Sequence, residues 1–123
     1  MNINKLIAPL VFSLLLSPAS VGAGIPMGVS TGTTFLGLCG DYPNPDKVIE
    51  SICDIMVREL APSIWFSHYL MGTEPYCLEQ SHSTQQYVYV IRNFLEDNPV
   101  YINKPHVIYI KAALSKAFPP PCN

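Results

Sequence analysis

Four cysteines and three histidines are the residues of this 123-residue chain whose chemistry could define a function. A thiolate beside a histidine can act as a nucleophile, thiolates and imidazoles can bind zinc, and paired cysteines can form disulfides. No recognised catalytic motif is present, and the histidines match no zinc spacing. We therefore expect no metal, no cofactor and no catalysis, with His68, His82 and His106 at the surface or at helix caps. The alternative interpretation, a secreted enzyme with an unrecognised site, requires that one of the four cysteines is a free thiol.

The beginning of the chain predicts which cysteine chemistry applies. Lys5 precedes an apolar run, residues 6–16, and small residues stand at Val21 and Ala23. This is the pattern of a signal peptide, residues 1–23, cleaved after Ala23. A membrane anchor is the alternative, but spanning a bilayer takes about 20 apolar residues. In an oxidising compartment an even number of cysteines favours two disulfides.

The charge of the chain argues against nucleic acid as a partner. The sequence has nine acidic and seven basic residues. Cleavage of the leader removes Lys5, and six basic against nine acidic residues give a net charge of −3. Nucleic-acid binding needs a basic surface that neutralises phosphates, and the sequence has no basic stripe. The mature residues 24–123 form a single domain at this length, with no membrane attachment expected.

Periodicity after the leader predicts an all-α fold, a small up-down bundle of about four helices. The first is a weak helix from Thr31 to Cys39, and the second begins with Asn44 as its cap and kinks or restarts at Pro62. The third follows a capping box at Ser83 and ends before Pro99. Apolar residues predicted to face the core of the second helix are Ile49, Ile52, Met56, Leu60 and Ile64.

The fourth helix is predicted to start from Asn103 and Pro105, a cap followed by an early proline. Prolines after Phe118 end it. Its predicted inward face consists of Val107, Ile110, Leu114 and Phe118.

Four cysteines allow three pairings, which spacing alone does not distinguish. In an up-down bundle, Cys39 and Cys53 lie near the junction of the first two helices, whereas Cys77 and Cys122 lie together at the other end. A Cys53–Cys77 bond would have to span the second helix, about 28 Å against a limit of about 7 Å. We therefore favour Cys39–Cys53 and Cys77–Cys122, unless the helix breaks sharply at its proline.

Six large apolar or aromatic residues are concentrated after Pro62, and they cannot all face one core. This segment is either the most buried part of the bundle or partly an interface, since exposed aromatic patches mark contact surfaces. Trp65, Phe66 and Tyr69 are the candidates for a dimer or partner patch. The full set is Ile64, Trp65, Phe66, Tyr69, Leu70 and Met71.

The order of motifs in the C-terminal half resembles the Rap/Tai immunity proteins, which protect bacteria from type VI secretion amidase effectors. Cys77 precedes the capping-box helix, which ends in Asp97-Asn98-Pro99, and Ala113-Leu114 then leads through Ala117-Phe118-Pro119 to Cys122. Residues 35–39 are similar to the family's first cysteine motif. Two departures are the three prolines before Cys122 and the absence of an aromatic-x-x-glycine pattern after Cys53.

The resemblance implies a periplasmic, disulfide-linked homodimer that binds and occludes a peptidoglycan amidase effector. A loop or helix end would enter the effector's groove. Loop residues are the expected contacts, because binding residues concentrate on loops held by a rigid scaffold. The candidates are Glu74, Tyr76 and Glu79 between the second and third helices, and Glu96, Asp97 and Tyr101 around the later turn.

A periplasmic acid-stress protein or holdase-type chaperone is the competing interpretation. Such a protein is also small, helical and disulfide-linked, and it would bind many unfolded clients through the aromatic segment. An immunity protein would instead have one tight partner.

Overall fold

Four helices pack around one shared core. A computed structural model describes residues 31–78 and 82–122, in which there are four α-helices and no sheet. The predicted all-α fold is confirmed, and the predicted signal peptide lies outside the described residues. The elements are α1 (Gly32–Cys39), α2 (Lys47–Leu70), α3 (Thr84–Asp97), a 3₁₀ turn (Pro99–Tyr101) and α4 (His106–Ala117).

Helix α2 begins two residues later than a cap at Asn44 predicts. The Asp46 carboxylate accepts hydrogen bonds from the N–H groups of Val48 and Ile49 at 3.0 and 3.3 Å, which makes Asp46 the N-cap. The Asn44 side chain instead accepts from the Asp46 N–H at 2.8 Å. The prediction of Asn44 as the cap is wrong because its side chain shapes the turn that precedes the helix.

Pro62 does not restart α2, which continues through it for 24 residues in all. A proline lacks the N–H that would bond to the carbonyl four residues earlier, here that of Arg58. Both Pro62 and Arg58 are exposed, so water can solvate that carbonyl. The helix is therefore continuous through Pro62.

The buried face of α2 is rotated relative to the predicted one. Leu60 and Ile64 are buried as expected, but Ile52 is 44% exposed and Cys53 and Val57 are buried in its place. The disulfide of Cys53 to α1 explains the difference, because it turns positions 53 and 57 toward the core. Assignment of Ile52 to the core was wrong for this reason.

Helix α3 follows the predicted pattern closely. The Gln86 N–H donates to Ser83 Oγ at 3.2 Å, and the Ser83 N–H donates to Gln86 Oε1 at 2.9 Å, which completes the capping box. The run from Tyr87 to Val90 is helical despite its β-branched and aromatic content. The helix ends at Asp97, and the 3₁₀ turn begins at Pro99.

Helix α4 begins at His106, with Pro105 at the N-cap position, rather than from a cap at Asn103. His106 is buried, so its expected place at the surface or as a cap is wrong. Its helix begins next to the start of α1, where Thr31 and Pro105 form a bridge. Burial lowers the pKa of His106 and favours the neutral imidazole. Val107, predicted to face inward, is 44% exposed.

Both favoured disulfides are present. Cys39–Cys53 joins α1 to α2, and Cys77–Cys122 joins the loop before α3 to the residues after α4, each with a Cα–Cα distance of 5.4 Å. The sequence separations of 14 and 45 residues correspond to about 3 and about 4 kcal/mol in the chain-entropy model. The bonds therefore cross-link α1 to α2 and the segment after α4 to the loop before α3.

Candidate interaction surfaces

The described residues contain neither a cluster of metal-binding side chains nor a free thiol. Among residues 31–78 and 82–122 no cluster of three or more His, Cys, Asp or Glu could hold a metal ion. All four cysteines form disulfides, so no free thiol is present. No helix in the part of the chain that the structure describes is long and apolar enough to cross a membrane.

Tyr76, in the loop between α2 and α3, is buried rather than available to a partner. Its exposed fraction is 0%, and its hydroxyl donates to the Ala61 carbonyl at 2.5 Å. Burial raises the pKa of the phenol, which favours its neutral form. The prediction that Tyr76 reaches an effector's groove is therefore wrong. Glu79, the third candidate of this loop, lies outside the described residues.

The same loop is held by contacts on both sides of its remaining candidate, Glu74. Before it, the Thr73 hydroxyl donates to the His68 carbonyl at 3.1 Å. After it, Ser115 Oγ donates to the Pro75 carbonyl at 2.7 Å, and the Cys77 N–H donates to the Phe118 carbonyl at 2.8 Å. Glu74 is exposed, so it stands on a loop whose flanks are fixed. A fixed loop loses less conformational entropy on binding.

The second candidate surface is the turn after α3. Glu96 and Asp97 are exposed, and Tyr101 is half-buried with its ring 4.9 Å from that of Phe94. Asp97 and Lys116 are among the residues that line a groove of about 340 Å³ between α3 and α4. This surface thus combines two carboxylates with a shallow, partly apolar depression.

The two candidate loops lie at opposite ends of α3. Glu74 belongs to the connection that leads into α3, and Glu96 and Asp97 belong to its last turn. The helix has 14 residues, which corresponds to about 21 Å. One narrow groove in a partner therefore cannot take both loops at once, and a partner contacts one end of the bundle or wraps along its side.

The C-terminal end of α2 carries the predicted aromatic patch, and most of it is exposed. Phe66 and Tyr69 are each 54% exposed, and Leu70 and Met71 are each 70% exposed. Trp65 is half-buried and stacks on Tyr69 with ring centroids 4.9 Å apart and an interplanar angle of 12°. Only Ile64 and part of Trp65 belong to the core. The interpretation of this segment as the most buried part of the bundle is therefore wrong for the other four residues.

Helix α2 carries three further exposed apolar residues, which the sequence pattern does not predict as a surface. Val48, Ile52 and Ile55 are 69%, 44% and 49% exposed. They are spaced by four and three residues, so they lie on one side of α2. That spacing is visible in the sequence, and of the three residues only Ile52 belongs to the predicted core face.

The connection between α1 and α2 is held against α3 by a polar network rather than left free for binding. The Tyr42 hydroxyl donates to Asp54 Oδ1 at 2.6 Å, and Arg92 Nη1 donates to the Tyr42 carbonyl at 3.0 Å. The Arg92 guanidinium also lies 4.9 Å from the centre of the Tyr89 ring. Burial and the neighbouring Asp54 carboxylate raise the pKa of Tyr42. These residues hold the connection between α1 and α2 in place against α2 and α3.

Fold and surfaces together define a small, all-helical protein cross-linked by two disulfides, with exposed carboxylate loops and an exposed apolar helix face. Comparisons with protein-family models, with curated proteins and with solved structures found no match.

Proposed function

We propose that this chain is a periplasmic immunity protein that binds and occludes a type VI secretion peptidoglycan amidase, and so prevents self-intoxication. The observation that supports the proposal is the order of cysteine, capping-box helix, Asn98-Pro99 turn and terminal cysteine, which resembles the Rap/Tai proteins, behind a leader typical of exported chains. An amidase that cuts cell-wall peptides acts in the periplasm, and its inhibitor has to be there too. Both disulfides suit that oxidising compartment.

Inhibition in this proposal is steric, and the loop that carries Glu74 is the leading contact. The Cys77–Cys122 disulfide and the bond to Ser115 hold the flanks of the loop, so it can enter a groove without first becoming ordered. The exposed apolar end of α2, with Phe66 and Tyr69, adjoins the same connection and can supply contact area. A standard interface of about 800 Å² per partner would need both parts.

The test is inhibition of peptidoglycan cleavage by a panel of type VI amidase effectors, using the mature protein, residues 24–123, with its disulfides formed. We expect one effector to be inhibited at a one-to-one ratio of chains. Glu74→Lys should weaken that inhibition, and Asp41→Lys, an exposed acidic position on another connection, is the matched control. Glu96→Lys and Asp97→Lys test the opposite end of the bundle. If those two variants weaken inhibition and Glu74→Lys does not, the contact surface is the turn after α3.

A holdase-type chaperone is the second candidate function, and the exposure of Phe66, Leu70 and Met71 specifically favours it. Such a protein would suppress the aggregation of several unrelated unfolded clients, and Phe66→Ser would reduce that suppression. Suppression of aggregation without inhibition of any amidase would contradict the immunity proposal and support the chaperone.

A further inference from the structure

The side of α4 that points away from the core is a further surface with features of its own. The positions 108, 111, 112 and 115 are separated by three, one and three residues, which places them on one side of a helix. The buried side consists of His106, Tyr109, Ile110, Ala113 and Leu114. Ile108, which is 45% exposed, therefore lies on the side of α4 opposite the core.

Tyr101 and this outer face of α4 line a groove of about 350 Å³. The ring of Tyr101 packs against that of Phe94 with centroids 4.9 Å apart, so one wall of the groove is held in place. At the other end of α4, Ser115 Oγ donates to the Pro75 carbonyl at 2.7 Å. The groove is thus formed before a partner binds, which lowers the entropy cost of binding. Its lining residues are Tyr101, Ile108, Lys111, Ala112 and Ser115.

The charge of this face is opposite in sign to the net charge of the chain. All nine acidic residues stand before residue 98, whereas residues 98–123 contain three lysines and no acidic residue. Lys111 is exposed in the groove, and Lys104 is exposed just before α4 begins. The ion pairs in the part of the chain that the structure describes lie on α2 and α3, and neither pair contains Lys104 or Lys111. The groove therefore combines apolar walls with cations that pair with no described carboxylate.

These features determine the chemistry of a partner that fits the face. Apolar walls take apolar side chains, and unpaired cations beside them favour carboxylates. Two lysines are too few to hold a nucleic acid against the net negative charge of the chain. An anionic membrane contributes about 1 kcal/mol per lysine near its surface, which repulsion of the acidic remainder of the chain offsets. A protein segment that carries both apolar and acidic side chains satisfies both features.

The form of that segment follows from the spacing along α4. Side chains three and four residues apart form rows on a helix, and the rows of one helix pack into the grooves of another. Lys104 and Lys111 are seven residues apart, which corresponds to about two helical turns. A partner helix with two carboxylates seven residues apart, and apolar residues between them on the same face, matches this spacing.

We propose that the outer face of α4 binds an amphipathic helix of a partner protein, with the carboxylates of that helix at Lys104 and Lys111 and its apolar side chains in the groove. This surface is opposite in charge to the loop that carries Glu74. The inference depends on α4 and its flanking residues, and it holds whether or not the proposed immunity function is correct.

The test is a titration of the mature, disulfide-bonded protein, labelled with nitrogen-15, with a synthetic helical peptide, followed by NMR. The peptide has two glutamates seven residues apart, with leucines at the third and fourth positions after the first glutamate. We expect the amide signals of Tyr101, Ile108 and Lys111 to shift, with a dissociation constant below about 1 mM. The same peptide with lysines in place of both glutamates is the matched control, and it should bind at least about tenfold more weakly.

Variants of the protein separate the local charge from the net charge. Lys111→Glu should raise the dissociation constant by about tenfold, because it sets a carboxylate against a carboxylate of the peptide. Arg58→Glu is the matched control, since it makes the same change in net charge at an exposed position on α2. It should leave the dissociation constant within about twofold of the wild-type value. Ile108→Ser removes an apolar wall and should also weaken binding, and circular dichroism verifies the folding of each variant.

The absence of shifts at millimolar peptide, shifts confined to other parts of the protein, or equal losses for Lys111→Glu and Arg58→Glu would each overturn the proposal. Binding to vesicles of phosphatidylethanolamine and phosphatidylglycerol without binding to the peptide would overturn it as well, and would identify the face as a site for a membrane surface. None of these results bears on the inhibition of an amidase, so the two proposals fail independently.

Discussion

Replacing Tyr76 with phenylalanine should lower the stability of the protein without removing any surface contact. The variant keeps the buried ring and loses the hydroxyl that donates to the Ala61 carbonyl at 2.5 Å. That carbonyl lies inside α2, so the hydrogen bond ties the loop before α3 to the middle of the longest helix.

The magnitude follows from the environment of the hydroxyl. A hydrogen bond within a protein contributes about 0.5 to 1.5 kcal/mol net, and the complete burial of Tyr76 places its contribution in the upper part of that range. We expect a loss of about 1 to 1.5 kcal/mol, or about 4 to 12 °C in Tm for a domain of this size. Tyr76→Ala also removes the ring from the core, and its cost should be about 3 to 5 kcal/mol.

Urea and thermal unfolding at neutral pH measure both effects. Tyr69→Phe is the matched control, because Tyr69 is 54% exposed and its hydroxyl should contribute almost nothing. The pKa of Tyr76 is raised in the folded state, so the corresponding stability is fully present below about pH 10 and is lost as the pH rises above it. Tyr76→Phe should remove that component of the alkaline loss. Equal stabilities of Tyr76→Phe and the wild type would refute a stabilising role for the buried hydrogen bond.

Three other predictions concern the helices. Gly37→Ala should stabilise the protein by about 0.5 to 1 kcal/mol, since no atom lies within 4 Å of the added Cβ. Gly32→Ala should instead cost about 1 to 3 kcal/mol, because its Cβ would lie 2.9 Å from the Ile102 backbone. Urea unfolding of both variants measures the two changes in stability. Asp46→Ala should cost about 1 kcal/mol through loss of the N-cap, and an unchanged midpoint would show that the cap is not formed. The pKa of His106 is lowered by burial, so its contribution is complete above about pH 6.5 and is lost as the pH falls below it. Unfolding measured between pH 8 and pH 5 should show that loss, and His106→Gln should show less of it.

Local chemistry made the presence of the helices and the bounds of α3 predictable. Ser83 and Gln86 form a capping box that depends on four consecutive residues, and α3 ends at Asp97, two residues before Pro99. The disulfide pairing was also predictable, because the up-down order of four helices puts the cysteines of each pair at the same end. These features depend on contacts that are short along the chain or on the order of elements.

The candidate site was less predictable, because exposure depends on how helices rotate against one another. Periodicity identifies an apolar face, but α2 has apolar residues on two opposite faces, and only one of them can meet the core. The Cys39–Cys53 bond selected the face of Val57, which left Ile52 in solvent. Tyr76 shows the reverse error, because a loop residue expected to be exposed is buried and donates its hydroxyl hydrogen bond to Ala61 in α2.

Length, charge, cysteine number and helix-ending residues thus predict by themselves a small, acidic, disulfide-linked helical chain. These properties follow from composition and from interactions within a few residues. Tertiary structure decided that Tyr76 is part of the core, that His106 is buried, and that an apolar stripe on α2 faces outward. Each of these depends on which segments meet in space, and a pattern along one segment carries no information about its neighbours.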